Sequence, residues 1–193
     1  MKKIQNIKDS IYKSIQAHEI LLNSDDLIKE VNHVAELFVH GIGKRKKVIF
    51  FGNGGSAADA QHFAAEFVGR FVKKRESLPA IALTTDTSNI TAIGNDFGFD
   101  QIFSRQIEGL GGKGDIAVGI STSGTSLNVI KGLESAIRKE LITIGLTGKE
   151  GGEIKDIVDH CICVPTNKVS RIQELHLLIG HLWIEAVEEE LFA

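Results

Sequence analysis

Val48-Ile49-Phe50-Phe51 is a short, unbroken apolar run that ends in Gly52-Asn53-Gly54-Gly55-Ser56 and passes straight into a stretch of helical periodicity. Four strand-favouring residues with no polar alternation describe a strand buried on both faces. Similar runs follow at 80–83, 115–120, 141–146 and 161–164, each set between stretches of helical periodicity. Unbroken apolar strands alternating with helices predict a five-stranded parallel sheet covered on both faces, an α/β fold.

Upstream the pattern is helical. Ile4, Ile7, Ile11 and Ile15 recur at three- and four-residue steps. After the polar break Asn23-Ser24-Asp25-Asp26, the residues Leu27, Ile28, Val31, Val34, Ala35 and Phe38 do so again. Residues 1–45 therefore read as a helical hairpin, and 46–193 as the α/β core of a single domain. The last helix, from about 170 to 190, carries Ile172, Leu175, Leu177, Leu178, Ile179, Leu182, Trp183, Ile184 and Val187 around most of its circumference. One sheet face cannot cover so much apolar surface, so the helix is expected to bury part of it against another subunit.

Composition sets the class. A chain of 193 residues, 42% hydrophobic and 24% charged, is ordinary for one globular domain. A net charge of -3 argues against a nucleic-acid surface. Gln5, Asn6, Lys8 and Asp9 interrupt any signal-peptide core, and no apolar run is long enough to span a membrane. Cys161 and Cys163, at i and i+2 of one strand, share a face and are poorly placed to pair with each other. A reducing cytoplasm fits that arrangement. The spacing allows a C-x-C metal site, but two small buried side chains account for it more simply.

Ligands of open parallel sheets bind beyond the carboxyl ends of the strands. Two of those ends suit an anion: Gly52-Asn53-Gly54-Gly55-Ser56 after the first strand, and Ser121-Thr122-Ser123-Gly124-Thr125-Ser126 after the third. Glycine lets backbone N–H groups approach a ligand, hydroxyls donate, and a helix N-terminus favours negative charge. Ser and Thr also cap helices everywhere, so one such loop alone says little. Two loops at strand ends of one sheet point to a phosphate site. Neither has the Gly-Lys-Ser/Thr ending of a nucleotide-binding loop or the dinucleotide glycine spacing. Gly94-Asn95-Asp96-Phe97-Gly98 reads as a polar turn within reach of the same crevice.

His62 and Glu66, four residues apart, share one face of the helix after the first loop. On the last helix Gln173 and His181 are eight residues apart, roughly 80° around the axis, near enough to face one cleft. His18, His33, His40, His160 and His176 read as structural or surface residues. His181 differs because a polar side chain on so apolar a helix needs a partner. Two imidazoles, a carboxylate and an amide oxygen have the chemistry to hold zinc. The same groups suit aldose–ketose isomerisation, which needs a carboxylate base at carbon and a second group to move protons on oxygen.

Taken together, Gly52-Asn-Gly-Gly-Ser56, His62-x-x-x-Glu66, Gly94-Asn-Asp96, Ser121-Thr-Ser-Gly-x-Ser126 and Arg171-Ile-Gln-Glu-x-His176-x-x-x-x-His181 resemble the phosphoheptose isomerase family of the SIS (sugar isomerase) domain class. The resemblance runs the length of the chain. It implies a doubly wound, flavodoxin-like fold, a homotetramer with active sites at subunit interfaces, and one Zn2+ per subunit held by His62, Glu66, Gln173 and His181. It also implies Glu66 as the proton-abstracting base and His181 as its acid/base partner. Sugar and phosphate contacts are implied for Asn53, Gly54, Gly55, Ser56, Glu66, Asn95, Asp96, Ser121, Thr122, Ser123, Ser126 and Gln173. The reaction implied is sedoheptulose 7-phosphate to D-glycero-D-manno-heptose 7-phosphate, for lipopolysaccharide core or capsule. Two other readings stay open: a DnaA-binding scaffold of the same fold that lacks the glutamate and the final histidine, and an SIS isomerase of another sugar phosphate. The presence of Glu66 and His181 favours the enzyme.

Overall fold

A computed structural model describes residues 2–148 and 150–192. Met1 and Ala193, the ends of the expected domain range, lie outside it. The helical hairpin is α1 (Lys2–Leu22) and α2 (Asp25–Gly43). Asp25 and Asp26 belong to the first turn of α2, where negative charge favours the helix N-terminus, and only Asn23-Ser24 remains as the break. The α/β core follows as β1 (Val48–Gly52), α3 (Gly55–Val68), β2 (Ala80–Ala82), α4 (Thr87–Phe97), α5 (Ser104–Leu110), β3 (Ile116–Ser121), α6 (Leu127–Arg138), β4 (Ile142–Gly148), β5 (His160–Val164) and α7 (Val169–Leu191). All five apolar runs are strands, with ends shifted by one or two residues.

The strands are all parallel, in the order β2-β1-β3-β4-β5. This is the doubly wound, flavodoxin-like order, with its switch point between β1 and β3. Alternation along β1 shows why its run is apolar throughout. Val48 and Phe50 face one buried cluster with α2, α3 and α7, while Ile49 and Phe51 face the other with α5 and α6.

Aromatic side chains fix the helices that matter for the site. Phe38 of α2 stacks on Trp183 of α7 at 5.2 Å and on Phe67 of α3 at 5.8 Å. The Trp183 indole also donates to the Val31 carbonyl at 3.2 Å. Much of the hydrophobic content of α7 is used within the chain, where Ile172, Leu175, Ile179, Trp183, Ile184 and Val187 are buried, while Leu177 and Leu178 are half-buried and Leu182 is exposed. A longer open apolar stripe lies on α1, where Ile4, Ile7, Ile11 and Ile15 are about half or more exposed.

Two expectations need correction. Cys161 and Cys163 are only half-buried, because β5 is an edge strand and they lie on an open groove. Both are free thiols, yet their sulfurs are 3.6 Å apart, much closer than residues pointing straight out of a strand would be. The Gly94–Phe97 segment is the last turn of α4 and not a turn between elements; only Gly98, at φ +97°, breaks the helix.

Candidate active site

The two glycine- and hydroxyl-rich loops leave β1 and β3 at the switch point and start α3 and α6. Asn53 and Asn128 tie them together by two reciprocal amide hydrogen bonds of 2.8 Å. Gly54 takes φ +55°, a conformation that disfavours side chains. Its neighbour Gly55 is required for a second reason: a Cβ there would run into the Gln173 amide of α7. In the other loop Ser121 shares hydrogen bonds with Ser126 at 2.9 Å and Ser123 at 3.4 Å, and Ser123 accepts from the Thr125 amide at 3.2 Å. Ser126 occupies the N-cap position of α6 but makes no side-chain cap bond. Capping therefore does not explain the Ser126 hydroxyl, while Ser121 and Ser123 accept from the Gly124 and Thr125 amides within the loop. Both helices turn open N-termini to the crevice, the arrangement that favours an anion.

Helices α3 and α7 run side by side in the same direction. Gln173 lies against Gly55, Gly180 against Phe63, and His181 against His62. The Nε2 atoms of His62 and His181 are 2.9 Å apart, and Glu66 Oε1 is 3.5 Å from His62 Nε2. The partner that His181 needs on its apolar helix is thus His62. Phe71 stacks on the other side of the His181 ring, at 4.9 Å and 21°. Desolvation, then the nearby His62, lowers the His181 pKa below the ordinary imidazole value, against the opposing pull of Glu66 and Glu185. The ring stays neutral to lower pH and is poised to pass protons between oxygens.

Other named residues lie elsewhere. Ser56 is buried on the first turn of α3, and Thr122 and Ser123 stand in the second loop. Asn95 and Asp96 are exposed on α4 and hydrogen-bond each other at 2.8 Å. Within this chain they do not join the cluster around His62.

Sequence reasoning missed a buried clamp behind the site. Glu188 of α7 accepts from the backbone amides of Phe71, Val72 and Lys73 at 2.8–3.0 Å and from Arg75 Nε at 2.8 Å. Arg75 in turn donates to the carbonyls of Glu66 at 2.7 Å and Phe67 at 2.9 Å. The pair holds the end of α3 and keeps Phe71 on His181. A signal was available: Glu188 is seven residues after His181, on the same helix face. Of the five histidines read as structural or surface residues, His176 is structural. It is wholly buried, with neither ring nitrogen hydrogen-bonded, and burial pushes its pKa down to about 4.

Comparison with known proteins gives the family. Residues 3–148 match the SIS domain family. The phosphoheptose isomerase of Sulfurimonas denitrificans is 49% identical over 192 residues, covering all of this chain and 97% of that protein. The chain belongs to the phosphoheptose isomerase family. Solved phosphoheptose isomerases from Neisseria gonorrhoeae (41% identity, TM-score 0.90, 96% of this chain and 98% of that one) and Francisella tularensis (36%, 0.94, 98% and 100%) share its fold from end to end. It is accordingly an isomerase.

The metal chemistry of the family can be tested against the donor atoms. Two ligands of a tetrahedral zinc ion, each 2.0–2.1 Å from it, stand about 3.3 Å apart. The His62–His181 and His62–Glu66 separations of 2.9 and 3.5 Å bracket that value. The side chains touch one another, and among the described residues no preformed cage of three or more His, Cys, Asp or Glu exists. Gln173 stands apart from these three, about 12 Å along α7 from His181. Its amide is at Gly55, beside the phosphate loops. Two imidazoles and a carboxylate fit zinc in kind, and the two separations at His62 suit it, while Gln173 lies beside the phosphate loops.

Proposed function

We propose that this chain interconverts sedoheptulose 7-phosphate and D-glycero-D-manno-heptose 7-phosphate in the cytoplasm, as a zinc-bound homotetramer supplying heptose for lipopolysaccharide core or capsule. One observation carries the reading: His62, Glu66 and His181 meet on two parallel helices whose other ends reach a switch-point crevice with two open helix N-termini. The phosphate binds at Ser121, Thr122, Ser123 and Ser126 and at the head of α3, with Asn53, Gly54, Gly55 and Ser56. Gln173 takes a sugar hydroxyl near Gly55. Glu66 removes the proton at the carbon next to the carbonyl, giving an enediol, and returns it to the neighbouring carbon. His181, neutral and backed by Phe71, shifts the proton between the two oxygens. Zinc held by His62, Glu66 and His181, with Gln173 as the family's fourth ligand, would polarise the sugar carbonyl.

Two features support assembly. Glu66 and His62 keep a quarter or more of their side chains exposed, so the site is open on one side. The isoleucine stripe of α1 is the kind of surface that buries itself against another copy. Asn95 and Asp96, distant from the cluster in their own chain, would then serve a site at a subunit interface. No helix among the described residues is long and apolar enough to cross a membrane. Incubation of purified protein with sedoheptulose 7-phosphate, followed by NMR, should show the aldose appear and should slow on chelation of zinc. No aldose, with zinc supplied, would overturn the proposal.

A further inference from the structure

Cys161 and Cys163 are the chain's two cysteines, and no role in isomerisation reaches them. They share one face of edge strand β5, on which Cys161 packs against the Ile154 cluster and the pair opens at the sheet edge, with sulfurs 3.6 Å apart. The hydroxyl of Thr147 on β4 lies 3.7 Å from one sulfur and 3.4 Å from the other. Both line an open groove of about 570 Å3 whose other wall is the start of α2, with Asp25, Asp26 and Glu30, and whose floor carries Lys155. The Cys161 thiol hydrogen-bonds to Cys163 and lowers its pKa to about 6; burial opposes this, while Thr147 and Lys155 assist. Cys161 is raised by the same contact and by burial. One thiolate and one thiol therefore face the groove at neutral pH.

The spacing decides what this pair takes. A disulfide needs sulfurs near 2.05 Å and Cα atoms within about 6.8 Å, while residues two apart in a strand are already about 6.6–6.8 Å apart. Closure is at the limit of the backbone. Two sulfurs about 2.3 Å from one pyramidal trivalent centre, at an angle of roughly 95–100°, are about 3.4–3.5 Å apart, close to the 3.6 Å observed. No third protein ligand completes a metal cage among the described residues. A centre that brings its own remaining substituent has no need of one. The acidic wall disfavours anionic reagents and admits uncharged ones.

The groove also lies behind the phosphate loop. A Cβ on Gly151, at φ +93°, would come 2.8 Å from the Cys163 sulfur. On its other side the Gly151 carbonyl packs against Gly124, leaving no room there for a side chain. Gly124 sits in the middle of the loop from Ser121 to Ser126, and its carbonyl accepts from the Ile154 amide at 3.0 Å. A group bound to Cys163 thus presses on the segment that braces that loop.

We propose that Cys161 and Cys163 form a dithiol site for trivalent, uncharged arsenicals, and that filling it weakens phosphate binding through Gly151 and Gly124. The reaction is a condensation without redox change. Two As–S bonds replace two As–O bonds of R–As(OH)2, and the two hydroxides leave as two waters, one taking the Cys161 thiol proton and the other a proton from solvent.

Phenylarsine oxide at one equivalent per chain tests this. Intact-mass analysis should show one phenylarsenic group per chain, resistant to excess monothiol and removed by 2,3-dimercaptopropanol. Neither Cys161→Ser nor Cys163→Ser should form that resistant adduct. In the adduct KM for sedoheptulose 7-phosphate should rise about tenfold, the loss of one hydrogen bond to a charged group, with kcat little changed. The doubly substituted Cys161→Ser/Cys163→Ser protein, treated alike, should keep the wild-type KM. An adduct that a monothiol removes, or that a single variant still forms, overturns the dithiol site. Full occupancy with an unchanged KM overturns the link to the loop. The mass measurement stands whatever the substrate; the KM measurement rests on the sugar-phosphate reading.

Discussion

Replacing Glu188 by Ala should strip the support from both catalytic helices at once. The carboxylate is almost fully buried, and burial alone would raise its pKa. Donation from the Lys73, Phe71 and Val72 amides and from Arg75 outweighs this and holds it below the ordinary value. Removing it leaves three backbone donors and the buried Arg75 guanidinium without their acceptor. Breaking a buried ion pair by deleting one partner costs about 3–5 kcal/mol. That is a large share of the about 5–15 kcal/mol that stabilises a typical domain. Trp183, the only tryptophan, is buried in the same helix and reports unfolding by fluorescence. Urea titration at fixed protein concentration should show the full loss for Glu188→Ala and a smaller one for Glu188→Gln, which keeps an acceptor oxygen. Where the variants remain folded, kcat should fall with little change in KM. Phe71 and the Glu66 carbonyl lose their anchor, while the phosphate loops are untouched. A loss below about 1 kcal/mol would show that the segment after α3 is held by something else.

Two further outcomes follow from buried and loop residues. His176 has a folded pKa of about 4, below its unfolded value, so its contribution is intact above pH 6.5 and is lost as pH falls from 6.5 toward 4. About 3 kcal/mol is at stake over that window, so His176→Leu should lose less stability than wild type between neutral pH and about pH 5 in urea titrations; parallel losses would contradict this. Ser123→Ala should raise KM for the sugar phosphate about tenfold with little change in melting temperature, and an unchanged KM would return that hydroxyl to a structural role.

The fold was legible because its signals were local. Five apolar runs, each followed by helical periodicity, leave few architectures, and all five are strands of one parallel sheet. Strand order was not legible from the runs themselves and entered through resemblance. The site was legible where chemistry and spacing coincide: His62 and Glu66 one turn apart, and His181 conspicuous on an apolar helix. Gln173 shows the limit. Spacing gave its side of α7 and its distance from His181, but the resting place of its amide beside Gly55 depends on how α3 packs on α7. The C-terminal helix shows another. Its apolar circumference suggested a partner subunit; α2, α3 and the sheet cover most of it, Leu177, Leu178 and Leu182 stay at least partly open, and a longer exposed stripe is on α1. The Glu188 clamp and the paired sulfurs depend on where a loop and an edge strand come to rest, which periodicity does not record.

The central claim is that Glu66 moves a carbon-bound proton. Glu66→Gln keeps size and hydrogen bonding but removes the carboxylate that accepts it. The direct measurement is exchange of the C1 and C2 hydrogens of the sugar phosphate with deuterated solvent, since it reports proton abstraction and no later step. Wild-type protein, with zinc and sedoheptulose 7-phosphate supplied, should wash deuterium into the sugar, and Glu66→Gln should do so about 100-fold more slowly or not at all. Exchange by the variant at the wild-type rate, or none by the wild type, would contradict the account.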